Sequence, residues 1–323
     1  MPAASSIHDT NSSPASSASS VAGLVLHARF QLFEALQAEQ LQADFSQRIA
    51  DIAQLLQQAC TQNEDVALAV ILHAQEGGYG IRHAVDTALV VELVCRRLAM
   101  NVQDRQSVLS ATLTMNIGMM ALQETLSRQA GPLTPEQRTS MHQHPQIGRD
   151  LLRRYGVSDQ LWLDCVLQHH ELPDGSGYPV HLQGEQICFE ARLIGLADRY
   201  CAMLTQAAWR SGSVVDSALF RTLRGHGGAD AKLGRLFGDT LGLYPPGAVV
   251  RLANGEVGVV KRSSNEVAPL IAALFDPADQ ALPEPIERDS GDAQYAVADM
   301  LEPAVLIGRT RFEQVWGPAA AGL

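Results

Sequence analysis

Ten histidines occur in the 323-residue chain, and two groupings among them have the types and spacing for metal chemistry. His142 and His144 flank Gln143, while His169 and His170 are adjacent. Neutral imidazole is a common ligand of divalent transition metals, and such ions activate water for hydrolysis. Neighbouring histidines on a helix diverge by about 100°, so such a pair can serve two edges of one site or two neighbouring ions. Directly after His170 the chain reads Glu171-Leu172-Pro173-Asp174-Gly175-Ser176-Gly177-Tyr178-Pro179. The Asp-Gly-Ser-Gly-Tyr-Pro stretch is a stiff turn, because glycine admits positive φ and proline fixes the exit.

Such residues need rigid elements to hold them, and hydrophobic periodicity predicts mainly helices. Residues 1–22 are rich in Ser and Ala and read as a disordered tail. A helical region follows over 23–78, with Leu26, Phe30, Phe33 and Leu36 recurring every three or four residues, then Ile49, Ile52, Leu55 and Leu56. It ends at the Glu76-Gly77-Gly78 turn and is expected to pack on the body that follows. A main helical domain is expected over 79–236, with helices at Arg82–Met100, Asp104–Glu124, Pro135–Arg154, Gln160–His170, Asp198–Ala208 and Val214–Leu223. Asp104 and Thr134 are expected as N-caps, with Pro135 in the first helical position. Residues 237–323 read as a small β-rich unit. There Ala248–Leu252 and Val257–Val260 flank an Asn254-Gly255 turn, and Leu270–Phe275 and Ala304–Ile307 add strands around an acidic, Pro-rich loop. No period of 20–50 residues repeats.

Apolar residues make up 46% of the chain and charged residues 18%, enough for a sizeable core. The formal charge is −11, and the only lysines are Lys232 and Lys261. This argues against DNA, RNA or a membrane surface as a partner, each of which needs a basic patch. Any phosphate ligand must be met by arginine, helix N-termini or metal ions. Cys60, Cys95, Cys165, Cys188 and Cys201 form no CxxC pair and read as small buried thiols. No apolar run approaches the roughly 18 residues of a membrane span, and the N-terminus lacks a signal-peptide pattern. A cytoplasmic location is expected.

The string HHELPDGSGYP, from His169 to Pro179, resembles the signature of the HD-GYP family, metal-dependent phosphodiesterases acting on the bacterial second messenger cyclic di-GMP. The resemblance runs from about Tyr79 to Arg210 and implies a helical bundle of the HD superfamily. It implies metal ligands at His83, His144 before Pro145, His169, His170 and Asp198, the last near the start of a helix. It implies a substrate loop at Asp174, Gly175, Gly177, Tyr178 and Pro179, with Arg210 as a contact to the dinucleotide. One motif departs. Where active members carry His-Asp-Ile-Gly-Lys, this chain reads Met115-Asn116-Ile117-Gly118-Met119, losing two ligands and the lysine. Tyr79 stands where some members have a Glu supporting a third metal, and Ala207-Ala208-Trp209-Arg210 keeps only the second basic group of that motif.

Phosphodiester hydrolysis in this family uses two metals, about 3.5–4 Å apart, held together by a bridging carboxylate. Asn116 is neutral and its amide a poor bridge, and the thioether of Met115 binds such cations weakly. One divalent ion, Fe, Mn or Zn, on His144, His169 and His170 is therefore expected, rather than a pair. With Met119 in place of lysine, a degenerate site and impaired catalysis follow. The expected role is in cyclic di-GMP signalling, by binding the dinucleotide or a GGDEF-type or other signalling protein. The alternatives are an active phosphodiesterase with an altered centre, or a scaffold that binds no nucleotide. His8, His27, His73, His142, His181 and His226 match no family ligand and are expected at the surface or in packing.

Overall fold

The computed structural model describes residues 20–37, 44–207, 231–263 and 268–323. The expected tail up to residue 19, the helix at Val214–Leu223, and Arg210 and His226 lie outside the described residues. The fold is mainly helical, with a small antiparallel sheet at its C-terminal end.

Helix α1 (Val21–Leu36) begins inside the span expected to be tail, since Ser20 caps it by accepting the Gly23 N–H at 2.9 Å. The Ser20 hydroxyl also donates to the Ala321 carbonyl, joining the two ends of the fold. Its inward stripe is Leu24, Val25, Ala28 and Leu32, whereas Phe30 and Phe33, placed on the apolar face by the sequence, are 61% and 45% exposed. Two stripes on this helix share the helical period. The one with small residues packs more closely against α2 (Phe45–Gln62), α3 (Glu64–His73) and α4 (Tyr79–Arg97). Arg29 leaves the same inward face, donates to the Ala74 carbonyl and pairs with Asp86 of α4 at 2.7 Å. The N-terminal helices are thus a layer of the bundle.

The helix expected over Asp104–Glu124 is broken. Helix α5 (Val102–Thr114), capped by Asn101 rather than Asp104, ends at Met115, and a 3-10 turn (Ile117–Met119) precedes α6 (Met120–Ser127). The break follows from packing, because a Cβ on Gly118 would collide with the His144 carbonyl of α7 (Pro135–Arg154). Thr134 and Gln137 form the capping box that starts α7, with Pro135 in its first turn. Helix α8 (Gln160–Gln168) ends just before His169, and α9 (Phe189–Ala207) starts well before the expected Asp198. Asp198 therefore lies mid-helix, not near a helix start.

The boundary expected at residue 236 falls inside α10 (Ala231–Leu241), which buries Leu233, Phe237 and Leu241 at helical spacing. Beyond it, β1 (Val249–Leu252) and β2 (Val257–Arg262) form the hairpin at Asn254-Gly255. Strands β3 (Leu270–Phe275), β4 (Ala281–Asp289) and β5 (Val297–Leu301) complete a sheet of order β4-β3-β2-β1-β5. The Pro-rich loop is thus strand β4. Its prolines, Pro283 and Pro285, are tolerated because it lies at the sheet edge, while Ala304–Ile307 falls in a 3-10 turn instead of a strand. The sheet docks on α3: His73 donates to the Gly247 carbonyl at 2.7 Å and packs on Phe312, and Asp65 pairs with Arg262. One apolar core runs from α1 to the sheet.

Candidate metal centre

His144, His169 and His170 bring one nitrogen each to within 4.8 Å of one another, a group able to hold a metal ion. The backbone sets two of these rings through local irregularities. Pro145 lies inside α7 and has no N–H to give the Met141 carbonyl, so the His144 Nδ1–H donates there instead, at 2.6 Å. Val166 lies in the last turn of α8, where carbonyls run out of intrahelical donors, and the His169 Nδ1–H donates to it at 2.8 Å. A neutral ring with its proton on Nδ1 presents a bare Nε2, the form that binds metal. The two Nε2 atoms face each other across 3.2 Å.

Burial disfavours protonation of this cluster. It pushes His144 down to about 3, with His169 adding to the effect, and it lowers His169 and His170 as well. Facing lone pairs that do not acquire protons are the donor arrangement a divalent cation fits. The close approach of backbone that brings α9 against His169 depends on Gly195, where a Cβ would strike the His169 carbonyl.

His83 and Asp198, from α4 and α9, pair with each other through Nε2 and Oδ1 at 2.7 Å. Burial raises the Asp198 carboxyl, but the His83 hydrogen bond and the neighbouring imidazoles outweigh it and hold the group well below the usual range. Asp198 is therefore a carboxylate beside the triad. Tyr79 stacks on the His83 ring at 5.4 Å, an aromatic cover where a carboxylate would extend the site. Met115 is fully buried and joins the apolar core. Asn116 is buried with its Oδ1 lacking a hydrogen-bond partner, as is the His83 Nδ1. Met119 lies half-buried at the end of the 3-10 turn.

The loop after His170 folds back over that ring. The Tyr178 N–H donates to the His170 carbonyl at 3.2 Å, and its phenol ring stacks between His170 and His142, with centroids at 4.7 and 4.4 Å. Pro179 follows through a cis peptide. Asp174 is exposed, its Oδ1 accepting from the Ser176 amide and hydroxyl. The roles of two residues, Glu171 and Arg199, escaped the sequence reading. Glu171, 2% exposed, accepts the N–H groups of Val180, His181 and Leu182 at 2.6, 3.1 and 3.0 Å and so clamps the loop. Its place right after the histidine pair was the available signal. Arg199, next to Asp198, lines a pocket with Glu171, Leu172 and Pro173, which places a cation beside the loop; burial lowers its pKa and Asp198 opposes that. His142, exposed, covers the outer face of Tyr178.

Comparison with known proteins identifies the family and the fold. An HD domain family profile matches residues 50–230. The chain is 28% identical over 211 residues to a cyclic di-GMP phosphodiesterase of Pseudomonas aeruginosa, covering 65% of this chain and 51% of that protein. It is 32% identical over 133 residues to the cyclic di-GMP phosphodiesterase response regulator RpfG of Xanthomonas campestris, covering 40% and 35%. The chain thus spans about half or less of these relatives' length. The fold is similar to the HDG"Y"P protein Bd1817 of Bdellovibrio bacteriovorus, with a TM-score of 0.57 at 16% identity over 72% of this chain and 74% of that one. No helix among the described residues is long and apolar enough to cross a membrane. With its helical bundle, its histidine triad and its intact Gly177-Tyr178-Pro179 loop, the chain belongs to the HD domain family, as one of its HD-GYP members.

Proposed function

We propose that this protein acts in cyclic di-GMP signalling through binding, with hydrolysis impaired. The observation that carries this reading is the pair at the break between α5 and α6. A thioether buried in the apolar core and a neutral amide occupy the positions that match a histidine and a bridging aspartate. Two cations need an anionic bridge to sit close together, and Asn116 supplies no charge. His144, His169 and His170 would hold one divalent ion, with Asp198 and His83 beside it. Such an ion, when bound, supplies Lewis acidity and lowers the pKa of a bound water.

The chain's own residues do the rest. The carbonyls of Met141 and Val166 hold two imidazoles in the metal-binding tautomer, Tyr178 shields His170 from solvent, and Arg199 offers positive charge near the loop. Arg210 matches a family contact to the dinucleotide and is a further proposed contact. The exposed Asp174, Ser176 and Val180 leave the outer side of the loop open to a protein partner such as a GGDEF-type cyclase. The intact triad favours one second reading, residual phosphodiesterase turnover on an altered centre.

The test is turnover of cyclic di-GMP by the purified protein, loaded anaerobically with Fe²⁺ and separately with Mn²⁺. A variant with His144, His169 and His170 all replaced by alanine is run beside it, and dinucleotide binding is measured by calorimetry. Binding without turnover, and at most one ion per chain, is the expected result. Turnover lost in the triple variant would establish the second reading, and absence of both binding and turnover would leave a scaffold.

A further inference from the structure

An open cleft of about 330 Å³ lies between the N-terminal halves of α2 and α5 and the first turn of α8. Asp159 at its edge is separated from His169 by the length of α8, about 15 Å at helical rise. The walls carry groups that both donate and accept hydrogen bonds: Ser46 and Gln47 from α2, and Gln106, Ser107 and Ser110 from α5. Ser110 is 1% exposed, yet its hydroxyl makes no hydrogen bond among the described residues. A buried hydroxyl without a partner, on the wall of a cleft, is a group that an occupant would satisfy. Trp162 supplies an apolar wall. Its indole N–H donates to Thr114 at 2.8 Å and its backbone N–H to Asp159 at 3.1 Å, so it offers an occupant ring surface rather than a donor. Asp159 takes that N–H on Oδ1 and the Ser107 hydroxyl on Oδ2 at 2.5 Å, and each oxygen keeps a further lone pair.

We propose that this cleft binds a neutral cyclic polyol of monosaccharide size. Charge decides the first part. Among the described residues no lysine, arginine or histidine lines the cleft, and Asp159 is its one charged group. A phosphate would meet a carboxylate with no cation to offset it, which excludes cyclic dinucleotides and sugar phosphates. A cationic ligand would find Asp159 already engaged by two donors. Size decides the second part, because the cleft is at the small end of the roughly 300–1,000 Å³ usual for small-molecule sites. The walls decide the third. Ring hydroxyls donate and accept at once, as the serine and glutamine side chains around them do, and the C–H face of such a ring packs on an indole. From the cleft α5 runs to Met115 and α8 to His169, so an occupant touches both helices that lead to the metal centre without reaching it. The site is independent of whether that centre binds or hydrolyses cyclic di-GMP.

The experiment offers glucose, galactose, mannose or myo-inositol to the full-length protein and reads binding by saturation-transfer NMR. At least one should bind with a Kd on the order of a millimolar or tighter, the range for a ligand of about a dozen heavy atoms. Glucose 6-phosphate should not bind, and cyclic di-GMP should not displace the sugar. Hydrogen–deuterium exchange of the wild type should show protection by the sugar in residues 103–110 and 156–162. Ser110→Ala and Gln106→Ala should each weaken binding about tenfold. Ser110→Ala removes a hydroxyl that holds no hydrogen bond, so its fold should be unchanged by circular dichroism, and the wild-type exchange data locate the site without either variant. Binding of none of the four, binding of glucose 6-phosphate as tight as that of glucose, displacement by cyclic di-GMP, protection confined to other segments, or full affinity in both variants would overturn the proposal.

Discussion

His144 and His169 point their Nε2 atoms at each other across 3.2 Å, while the Nδ1 of each is held by a backbone carbonyl. A carbonyl only accepts, so each Nδ1 carries the proton, and neither neutral ring has one left for the other. The arrangement stores two lone pairs aimed at one point, and it arises from two helix irregularities: an internal proline and a helix end.

Replacing that proline separates stability from metal binding. Pro145→Ala restores an N–H for the Met141 carbonyl and frees the His144 ring to change tautomer. Unfolding free energy should rise by about 1–3 kcal/mol, since an interior proline costs a helix about that much. Affinity for Mn²⁺ should fall about tenfold, as on loss of an orienting partner. Urea denaturation and metal titration of the same sample would show the two moving in opposite directions.

Restoring the departed motif should restore the second ion. The double variant Met115→His, Asn116→Asp is expected to bind about two ions per chain against the one expected for the wild type, and to raise turnover of cyclic di-GMP by a factor on the order of a hundred or more. Metal analysis and single-turnover kinetics read the two effects. An unchanged metal count would show that the α5–α6 break, not the side chains alone, keeps the second ion away.

Glu171 holds the loop through three amide hydrogen bonds, and its removal strands donors that its carboxylate now satisfies. Glu171→Ala should destabilise the protein by about 2–3 kcal/mol and expose the 174–182 segment to protease. Glu171→Gln, which keeps one acceptor oxygen, should fall between. Limited proteolysis with mass spectrometry locates the cut.

A further pH effect comes from Glu92 of α4, wholly buried beside Arg105 at 3.3 Å. Burial raises its carboxyl from 4.5 to about 7, against the opposing pull of Arg105 and Arg96. Folding therefore takes up a proton between these values, so the contribution of this group is full below about 4.5 and is lost as pH rises through about 7. A shift of this size corresponds to about 3 kcal/mol. Denaturation midpoints at pH 5, 6, 7 and 8 should fall with pH, and Glu92→Gln should flatten that slope.

Much of the architecture was legible from local pattern. The helical body, the Thr134–Pro135 helix start, the Asn254-Gly255 hairpin and the HHELPDGSGYP string all depend on residues a few positions apart, and short-range sterics and hydrogen bonds act at that range. The string named the family by itself. Tertiary packing decided the rest. Which of two stripes on α1 turns inward depends on the helices it meets, so Phe30 and Phe33 face out while Arg29 faces in. Gly118 against the His144 carbonyl ends a helix whose periodicity ran on, and the sheet edge admits the prolines of β4. The tautomers of His144 and His169 and the Glu171 clamp each need groups set by the fold. A single sequence records which donors and acceptors a chain possesses; only the packed backbone determines which of them are left to face one another.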